Sequence, residues 1–278
     1  MTRPSTESTV PPVKVYWQPG CSSCLKTKEF LIENGVPFQS VNVLEDEAGF
    51  KELEALGLRL VPIVSKGTDW ANGAVFRDVA RVVGFEYGGY TMLNPEELTE
   101  IVLKIQDAAR RYLVQIPENK IDTILAGRPR SYRQLVYHVF TIPKVFLDHI
   151  EYGSPYTYEA LKSILPGNLK TKQNLLDYGL TVRTRFSQWW EGDGKHFDFN
   201  QPGNVYYGEV SLHEVLERTA WHSGQHTRQI ILMLREKLGI APDGPLEDVD
   251  FAGLPMPKNI WDNEQSFNEN SYKGKAES

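Results

Sequence analysis

Cys21 and Cys24 are the residues of this chain best suited to covalent redox chemistry. They are the only two cysteines among the 278 residues, and they separate an apolar segment, residues 13–17, from a pattern that predicts a helix over 22–34. Cys21 is therefore expected at a helix N-terminus, where free N–H groups and the helix dipole favour a thiolate over a thiol. Cys24 follows one turn later, within reach of a mixed disulfide on Cys21, which is the geometry of thiol–disulfide exchange.

Three other interpretations of the cysteine pair stay open. A zinc knuckle would need two further Cys or His ligands nearby, and residues 1–137 hold none beyond the pair itself. An inert buried pair and a redox site that has lost its activity are the remaining alternatives.

Pro62 supports the redox interpretation. It lies at the start of a predicted strand, in Leu60-Val61-Pro62-Ile63, where a proline is unfavourable if the strand is central. A cis peptide bond before Pro62, in a loop that faces the cysteines, would offer backbone groups to a substrate disulfide. An ordinary trans proline on an edge strand is the alternative.

These motifs resemble the glutaredoxin family of the thioredoxin superfamily. The resemblance rests on residues 16–24, on Leu-Val-Pro-Ile at 60–63 and on a glycine turn at 70–73, and it covers about residues 13–87. It implies a thioredoxin-like fold with Cys21, Cys24 and Pro62 in the catalytic site. Positions that contact glutathione in the family differ here, so the resemblance implies redox activity without naming glutathione as the partner.

The apolar pattern predicts an α/β domain followed by a helical one. The predicted strands of the first domain cover 13–17, 38–43, 61–64 and a short stretch near 74–75, and its predicted helices cover 22–34, 45–56 and 77–83. The later pattern predicts long helices over 95–114, 131–151, 168–190 and 211–238, with no convincing strand. An all-α four-helix bundle with long crossovers fits this later pattern.

The predicted organisation has five parts. They are a disordered leader at 1–12, the redox domain at 13–87, a linker at 88–94, the helical bundle at 95–240 and an extended tail at 241–278. Trp261 and the apolar stretch at 254–257 indicate that part of the tail packs on the bundle.

His222 and His226 are the second set of candidate functional residues, in this case for metal binding. They stand four positions apart on the helix predicted over 211–238, so both imidazoles point to one side and can bind one ion. His138 lies in an apolar surround, which is costly for an unpaired imidazole. If its helix faces the other, three neutral donors with open positions result, which suits a catalytic divalent metal such as zinc or nickel.

The other three histidines do not fit this site. His149 shares the face of His138 but lies about 16 Å further along the helix axis, His213 falls on the opposite face of its helix, and His196 is predicted in a loop. All three are interpreted as packing or surface residues.

The histidine pattern resembles the DinB superfamily of metal-binding bundles over about residues 93–240. The resemblance implies that His138, His222 and His226 bind one divalent metal ion, zinc or nickel. Some members depend on a low-molecular-weight thiol, which implies glutathione, mycothiol or bacillithiol as a second cofactor. Three polar residues close to His222 and His226 are candidates for hydrogen bonds to the metal-binding histidines or for contacts with substrate: Gln225, Arg228 and Gln229.

The combination predicts a thiol-dependent metalloenzyme with its own redox module. It would be an S-transferase, isomerase or lyase that acts on a small electrophile through a metal-activated small thiol, while the dithiol reduces disulfides or mixed disulfides. A metal-dependent hydrolase that uses metal-bound water and a non-catalytic redox or metal sensor are the alternatives.

Charge and hydropathy limit the partners. The formal net charge is −6, from 30 Lys and Arg against 36 Asp and Glu, so no global electrostatic attraction to nucleic acid or anionic membranes is expected. The sequence has no run of roughly 18 apolar residues that could span a membrane. The polar N-terminus lacks a secretory signal, which predicts a cytoplasmic protein. A homodimer stays open.

Overall fold

The computed structural model describes residues 11–125, 130–162 and 164–261. These residues divide into two compact units, one that ends at Gly89 and one that begins at Tyr90. The division falls inside the predicted linker at 88–94, while the exact domain bounds stay a prediction. Most of the predicted leader and the end of the predicted tail lie outside the described residues.

The first unit is a mixed four-stranded sheet with three helices, the thioredoxin-like α/β arrangement that the sequence predicts. Its strands are Val13–Trp17 (β1), Gln39–Asn42 (β2), Ile63–Lys66 (β3) and Asp69–Asn72 (β4), and its helices are Ser22–Glu33 (α1), Glu47–Ala55 (α2) and Phe76–Val83 (α3). The strand order is β2-β1-β3-β4, with β2 parallel to β1 and the other neighbours antiparallel.

Strand β1 separates two apolar clusters because successive side chains of a strand point to opposite faces of the sheet. Val15 packs in one cluster with Leu31 of α1. Tyr16 packs in the other, together with Cys24 and Leu53 of α2. The two cysteines therefore lie on the face that α2 also covers.

The predicted strand near 74–75 is wrong. The fourth strand is β4, which pairs with β3 directly after a turn at Gly67 and Thr68. Gly67 adopts a positive φ of 65°, so the chain reverses within two residues and pairing resumes at Asp69. Asp and Asn at the ends of β4 are poor strand formers, which is why the sequence pattern hides this strand.

The second unit is a helical bundle, as predicted. Its helices are Pro95–Gln115 (α4), Tyr132–Tyr152 (α5), the short Tyr158–Leu161 (α6), Lys172–Glu191 (α7) and Leu212–Leu238 (α8). Helices α7 and α8 each pack against both α4 and α5. Each of the four long helices begins with a reciprocal capping box, in which two orphan N–H groups find side-chain acceptors; the pairs are Asn94 with Glu97, Ser131 with Gln134, Thr171 with Asn174 and Ser211 with Glu214.

The expectation of no strand after the first domain is wrong. Pro202–Val205 (β5) and Gly208–Ser211 (β6) form an antiparallel hairpin immediately before α8. The strands are only four residues long, and their two-residue turn consists of Tyr206 and Tyr207 instead of the Asn-Gly type that marks such turns in a sequence. Among the described ranges, no helix is both long and apolar enough to cross a membrane.

The described part of the predicted tail packs on the bundle. Phe251, at the end of a single 3-10 turn, is buried beside Gly224 of α8. A Cβ on Gly224 would lie 3.0 Å from the Phe251 ring, so the glycine permits this close approach. Leu254 and Trp261 are buried as well.

Candidate functional site

Cys21 and Cys24 form a disulfide at the start of α1. Cys21 is the N-cap of the helix, and its Sγ accepts a hydrogen bond from the backbone N–H of Cys24 at 3.2 Å. Cys21 is partly exposed, whereas Cys24 is fully buried. The partly exposed cysteine is therefore also the one at the helix N-terminus, where a thiolate is favoured in the reduced protein.

The Pro62 loop is tied to the cysteine helix. The Val61–Pro62 peptide bond is cis, as the sequence predicts, and the residue before it packs in the cluster that contains Cys24. The N–H of Gly73 donates to the carbonyl of Pro62 at 3.0 Å, and Thr27 Oγ1 on α1 donates to the carbonyl of Gly73 at 2.8 Å. Two hydrogen bonds thus join Pro62 to a helix residue that follows Cys24 by less than one turn.

Lys28 is a feature of the redox region that the sequence interpretation missed. It lies one turn after Cys24 and is only 1% exposed, and its Nζ lies 3.5 Å from the centre of the Trp17 ring. A cation held over an indole face is stabilised by the ring quadrupole. The spacing Cys-x-x-x-Lys on a helix was the available signal.

Three histidines meet inside the bundle. His138 comes from the N-terminal third of α5, and His222 and His226 come from α8; all three are buried. One ring nitrogen from each lies within 4.8 Å of the others. The His138 ring centroid is 5.3 Å from that of His222 and 4.8 Å from that of His226. The group could hold one metal ion.

Hydrogen bonding fixes the tautomer of His226. Its Nδ1 lies 2.8 Å from Gln229 Oε1, and the amide nitrogen of Gln229 donates to the carbonyl of Ile260 at 3.1 Å. Because the amide nitrogen is occupied by that carbonyl, Oε1 faces the imidazole and the proton of the neutral ring lies on Nδ1.

This tautomer leaves a lone pair on Nε2 of His226, which lies 3.2 Å from Nε2 of His222. Two ring nitrogens converge at this distance in a buried site, and His138 adds a third. A cation would accept electron pairs from all three at once. The donor set therefore fits a divalent metal with nitrogen ligands.

Pro143 explains how α5 is anchored beside His138. A proline has no N–H, so the carbonyl four residues earlier, on Val139, loses its helix partner. Gln106 of α4 donates its amide to that carbonyl at 3.1 Å. Helix α4 therefore holds the turn of α5 that carries His138.

The three polar candidates on α8 divide into two roles. Gln229 contacts His226, as described above. Gln225 donates to the carbonyls of Asn259 and Ile260, at 3.0 Å and 2.9 Å. Arg228 donates to the carbonyl of Pro257 at 2.8 Å. We call residues 257–260 the strap, since their carbonyls hold the tail against α8.

The remaining three histidines lie elsewhere in the second unit. His149 Nδ1 lies 2.8 Å from the carbonyl of Ser154, at the C-terminal end of α5. His213 Nε2 lies 2.7 Å from the carbonyl of Leu93. His196 is exposed in a one-turn 3-10 helix instead of a loop.

Comparisons with known proteins find a matching family model for each of the two parts of the chain. The family model described as Glutaredoxin matches residues 13–69, and the model described as DinB superfamily matches residues 103–230. A curated relative, N-acetyl-S-hydroxy-L-cysteine reductase of Bacillus subtilis (strain 168), is 31% identical over 89 residues. That match spans 32% of this chain and 90% of the relative.

These matches confirm the resemblances that the motifs indicate, and they support a thiol redox role. The match to the reductase spans about a third of this chain, so it concerns only part of it. The chain belongs to the glutaredoxin family and fuses its glutaredoxin domain to a domain of the DinB superfamily.

Proposed function

We propose that the chain reduces an oxidised small-molecule thiol at Cys21 and Cys24, and that the bundle uses a small thiol in a metal-dependent transfer to an electrophile. The main observation for the reductase part is the placement of Cys21, a partly exposed residue whose side chain caps α1, while Cys24 is fully buried. The relative is named as a reductase of an S-hydroxy-cysteine derivative, which supports a small sulfenic acid or disulfide as substrate.

The reduction needs both cysteines. The Cys21 thiolate attacks the oxidised sulfur of R–SOH, the S–O bond breaks, and the leaving hydroxide takes up a proton to give water. The mixed disulfide of Cys21 with R is then attacked by the Cys24 thiolate, which releases R–SH and leaves the Cys21–Cys24 disulfide. With a disulfide substrate, the first leaving group is a second thiol. A reducing thiol from solution restores the dithiol.

The surroundings of the pair support these roles. The N–H of Cys24 that bonds Cys21 Sγ would stabilise the Cys21 thiolate that makes the first attack. Pro62 would present its loop backbone to the substrate, held in place through Gly73 and Thr27.

In the bundle, His138, His222 and His226 would hold one divalent ion, zinc or nickel. Such an ion supplies a positive charge that favours the thiolate of a small thiol over the thiol itself. Gln229 keeps the His226 ring in one tautomer and one orientation. Burial of all three rings keeps bulk water from competing for the nitrogens.

The two activities are linked through the small thiol. A thiol that the reductase releases from its oxidised form diffuses freely, so one domain could supply the reduced thiol that the other domain uses, while a different reducing thiol restores the Cys21–Cys24 dithiol. Glutathione, mycothiol and bacillithiol are the candidate thiols, and the electrophile is a small molecule.

The reductase part can be tested by trapping. Cys24→Ser, incubated with N,N′-diacetylcystine, should accumulate a mixed disulfide of N-acetylcysteine on Cys21, detected as a mass increase of the intact protein. Cys21→Ser should form no adduct and show no turnover. Turnover by Cys21→Ser would refute the assignment of the attacking sulfur.

The transferase part needs metal analysis and a thiol-dependent assay. His222→Ala should lose bound metal and lose consumption of electrophile with each of the three thiols, whereas His196→Ala, a change at an exposed histidine, should lose neither. Turnover without any added thiol would favour a hydrolase instead. Metal binding that depends on the oxidation of the cysteine pair, with no turnover, would favour a sensor.

A further inference from the structure

Arg218 is buried next to the histidine group. It lies one helical turn before His222 on α8, and side chains four residues apart share a helix face with Cβ atoms about 5–6 Å apart. Trp221 contacts both: its ring centroid lies 5.6 Å from the His222 ring and 5.2 Å from the guanidinium carbon of Arg218. Arg218 is only 5% exposed.

The turn of the β5–β6 hairpin supplies the facing side chains. Arg218 Nη2 donates to the hydroxyl of Tyr206 at 2.9 Å, and its guanidinium carbon lies 4.6 Å from the centre of the Tyr207 ring. The Tyr156 ring stacks on that of Tyr206, with 6.4 Å between centroids. Aromatic contacts therefore hold the guanidinium in one position. Tyr206 is partly exposed, while Tyr156 and Tyr207 are buried.

The Tyr207 hydroxyl is a donor that needs an acceptor. It is buried and has no hydrogen-bond partner within the described part of the chain. Burial raises the pKa of this phenol well above its ordinary value, so the hydroxyl keeps its proton at neutral pH. A buried donor without an acceptor is costly, and an oxygen atom of a bound ligand would remove that cost.

We propose that Arg218, with the hydroxyls of Tyr206 and Tyr207, binds the carboxylate of a small-molecule substrate whose reactive group lies at the three histidines. The inference rests on the proposed function of the bundle and names the chemical class of its substrate. A planar guanidinium presents paired donors that match the two oxygens of a carboxylate. Because Arg218 and His222 lie on successive turns, the ligand carries its carboxylate and its reactive group only a few atoms apart, as a cysteine derivative with a free carboxyl group does.

Isothermal titration calorimetry on the reduced, zinc-loaded full chain tests the site with four probes. N-acetylcysteine carries a thiol and a carboxylate, its amide carries the thiol alone, N-acetylalanine carries the carboxylate alone, and the amide of N-acetylalanine carries neither. Each acid should bind about tenfold or more tightly than its amide, the gain of one good charge-assisted hydrogen bond.

Two variants test whether Arg218 and Tyr207 cause the preference for each acid over its amide. Arg218→Gln should weaken the binding of both acids by roughly 10- to 100-fold without affecting the amides. Since loss of a buried arginine can unfold the bundle, Tyr207→Phe provides a second test: it removes only an unpartnered hydroxyl, so the melting temperature should not fall, while acid binding weakens about tenfold. Tyr132→Phe deletes another buried hydroxyl, on α5, and should leave all four affinities unchanged.

The outcomes separate this inference from the proposed function. Equal affinity for acid and amide, no binding of either acid, or an unchanged acid preference in Tyr207→Phe overturns the carboxylate site. A preference for the acids without any preference for the thiol overturns the thiol function and leaves the carboxylate site in place. A preference for the thiol without one for the acids overturns the carboxylate site and leaves the thiol function in place.

Discussion

Gln229 Oε1 lies 2.8 Å from Nδ1 of His226, and the other end of the same amide donates to the carbonyl of Ile260 in the strap. The orientation of a histidine in the candidate metal site is therefore set by a backbone carbonyl of the tail. The strap thus contributes to the site although it supplies none of the three candidate metal ligands.

Gln229→Leu should weaken metal binding about 10- to 100-fold, because partners that orient a ligating histidine typically contribute that much to affinity. The His226 ring would lose its acceptor and its fixed tautomer. Competition with a chromogenic chelator measures the affinity. Gln225→Leu is the matched control, since Gln225 also bonds the Ile260 carbonyl but is not bonded to a histidine. An equal loss of metal affinity in both variants would show that the effect comes from the contacts with the strap and not from the hydrogen bond to His226.

Gln106→Leu should lower the free energy of unfolding by about 1 kcal/mol, because the buried carbonyl of Val139 loses its donor. The cost should shrink in a Pro143→Ala background, where an alanine N–H can bond that carbonyl within α5. Chemical denaturation of the four proteins in a double-mutant cycle measures the coupling. Strict additivity of the two changes would show that Pro143 is not the reason for the Gln106 contact.

Gly73→Ala should destabilise the first domain by about 1–3 kcal/mol and slow the reductase, because the new methyl group overfills a packed site. A Cβ there would lie 2.6 Å from Thr27 Oγ1 and 2.9 Å from Pro62 Cβ, so the Pro62 loop must move away from the cysteine helix. Thermal melting and turnover of N,N′-diacetylcystine measure the two effects. Gly88→Ala, which has no atom within 4 Å of the added Cβ, should change neither.

Asp148 should make the bundle sensitive to acid. Burial pushes the pKa of Asp148 up, but hydrogen bonds from Lys144 and Arg185 outweigh burial and hold it below its ordinary value of 3.8. A carboxyl with a lowered folded-state pKa contributes stability above the unfolded value and loses it as the pH falls through the folded value. Asp148→Asn should therefore cost about 1 kcal/mol at pH 7, with the difference from wild type shrinking below about pH 4. Urea denaturation at pH 7, 4 and 3 measures this, and a difference that grows toward low pH would contradict it.

The sequence by itself determined the features that depend on neighbours along the chain. The position of Cys21 at a strand-to-helix junction sets its sulfur at a helix N-terminus, and the spacing of His222 and His226 sets both rings on one helix face. Each of these follows from the local geometry of a helix or strand, which a few consecutive residues specify.

The tertiary structure decided which distant groups meet. Gln225 and Gln229 lie four residues apart on one face of α8, so spacing cannot tell which of them contacts a histidine; the strap and the His226 ring decide that. Periodicity likewise shows that His138 points inward but not which helix it faces. The tyrosine turn that covers Arg218 had no turn signal in the sequence, because it is held by packing against the guanidinium and not by turn-forming residues. A helix face is a local property, whereas the identity of its neighbour is a property of the whole folded bundle.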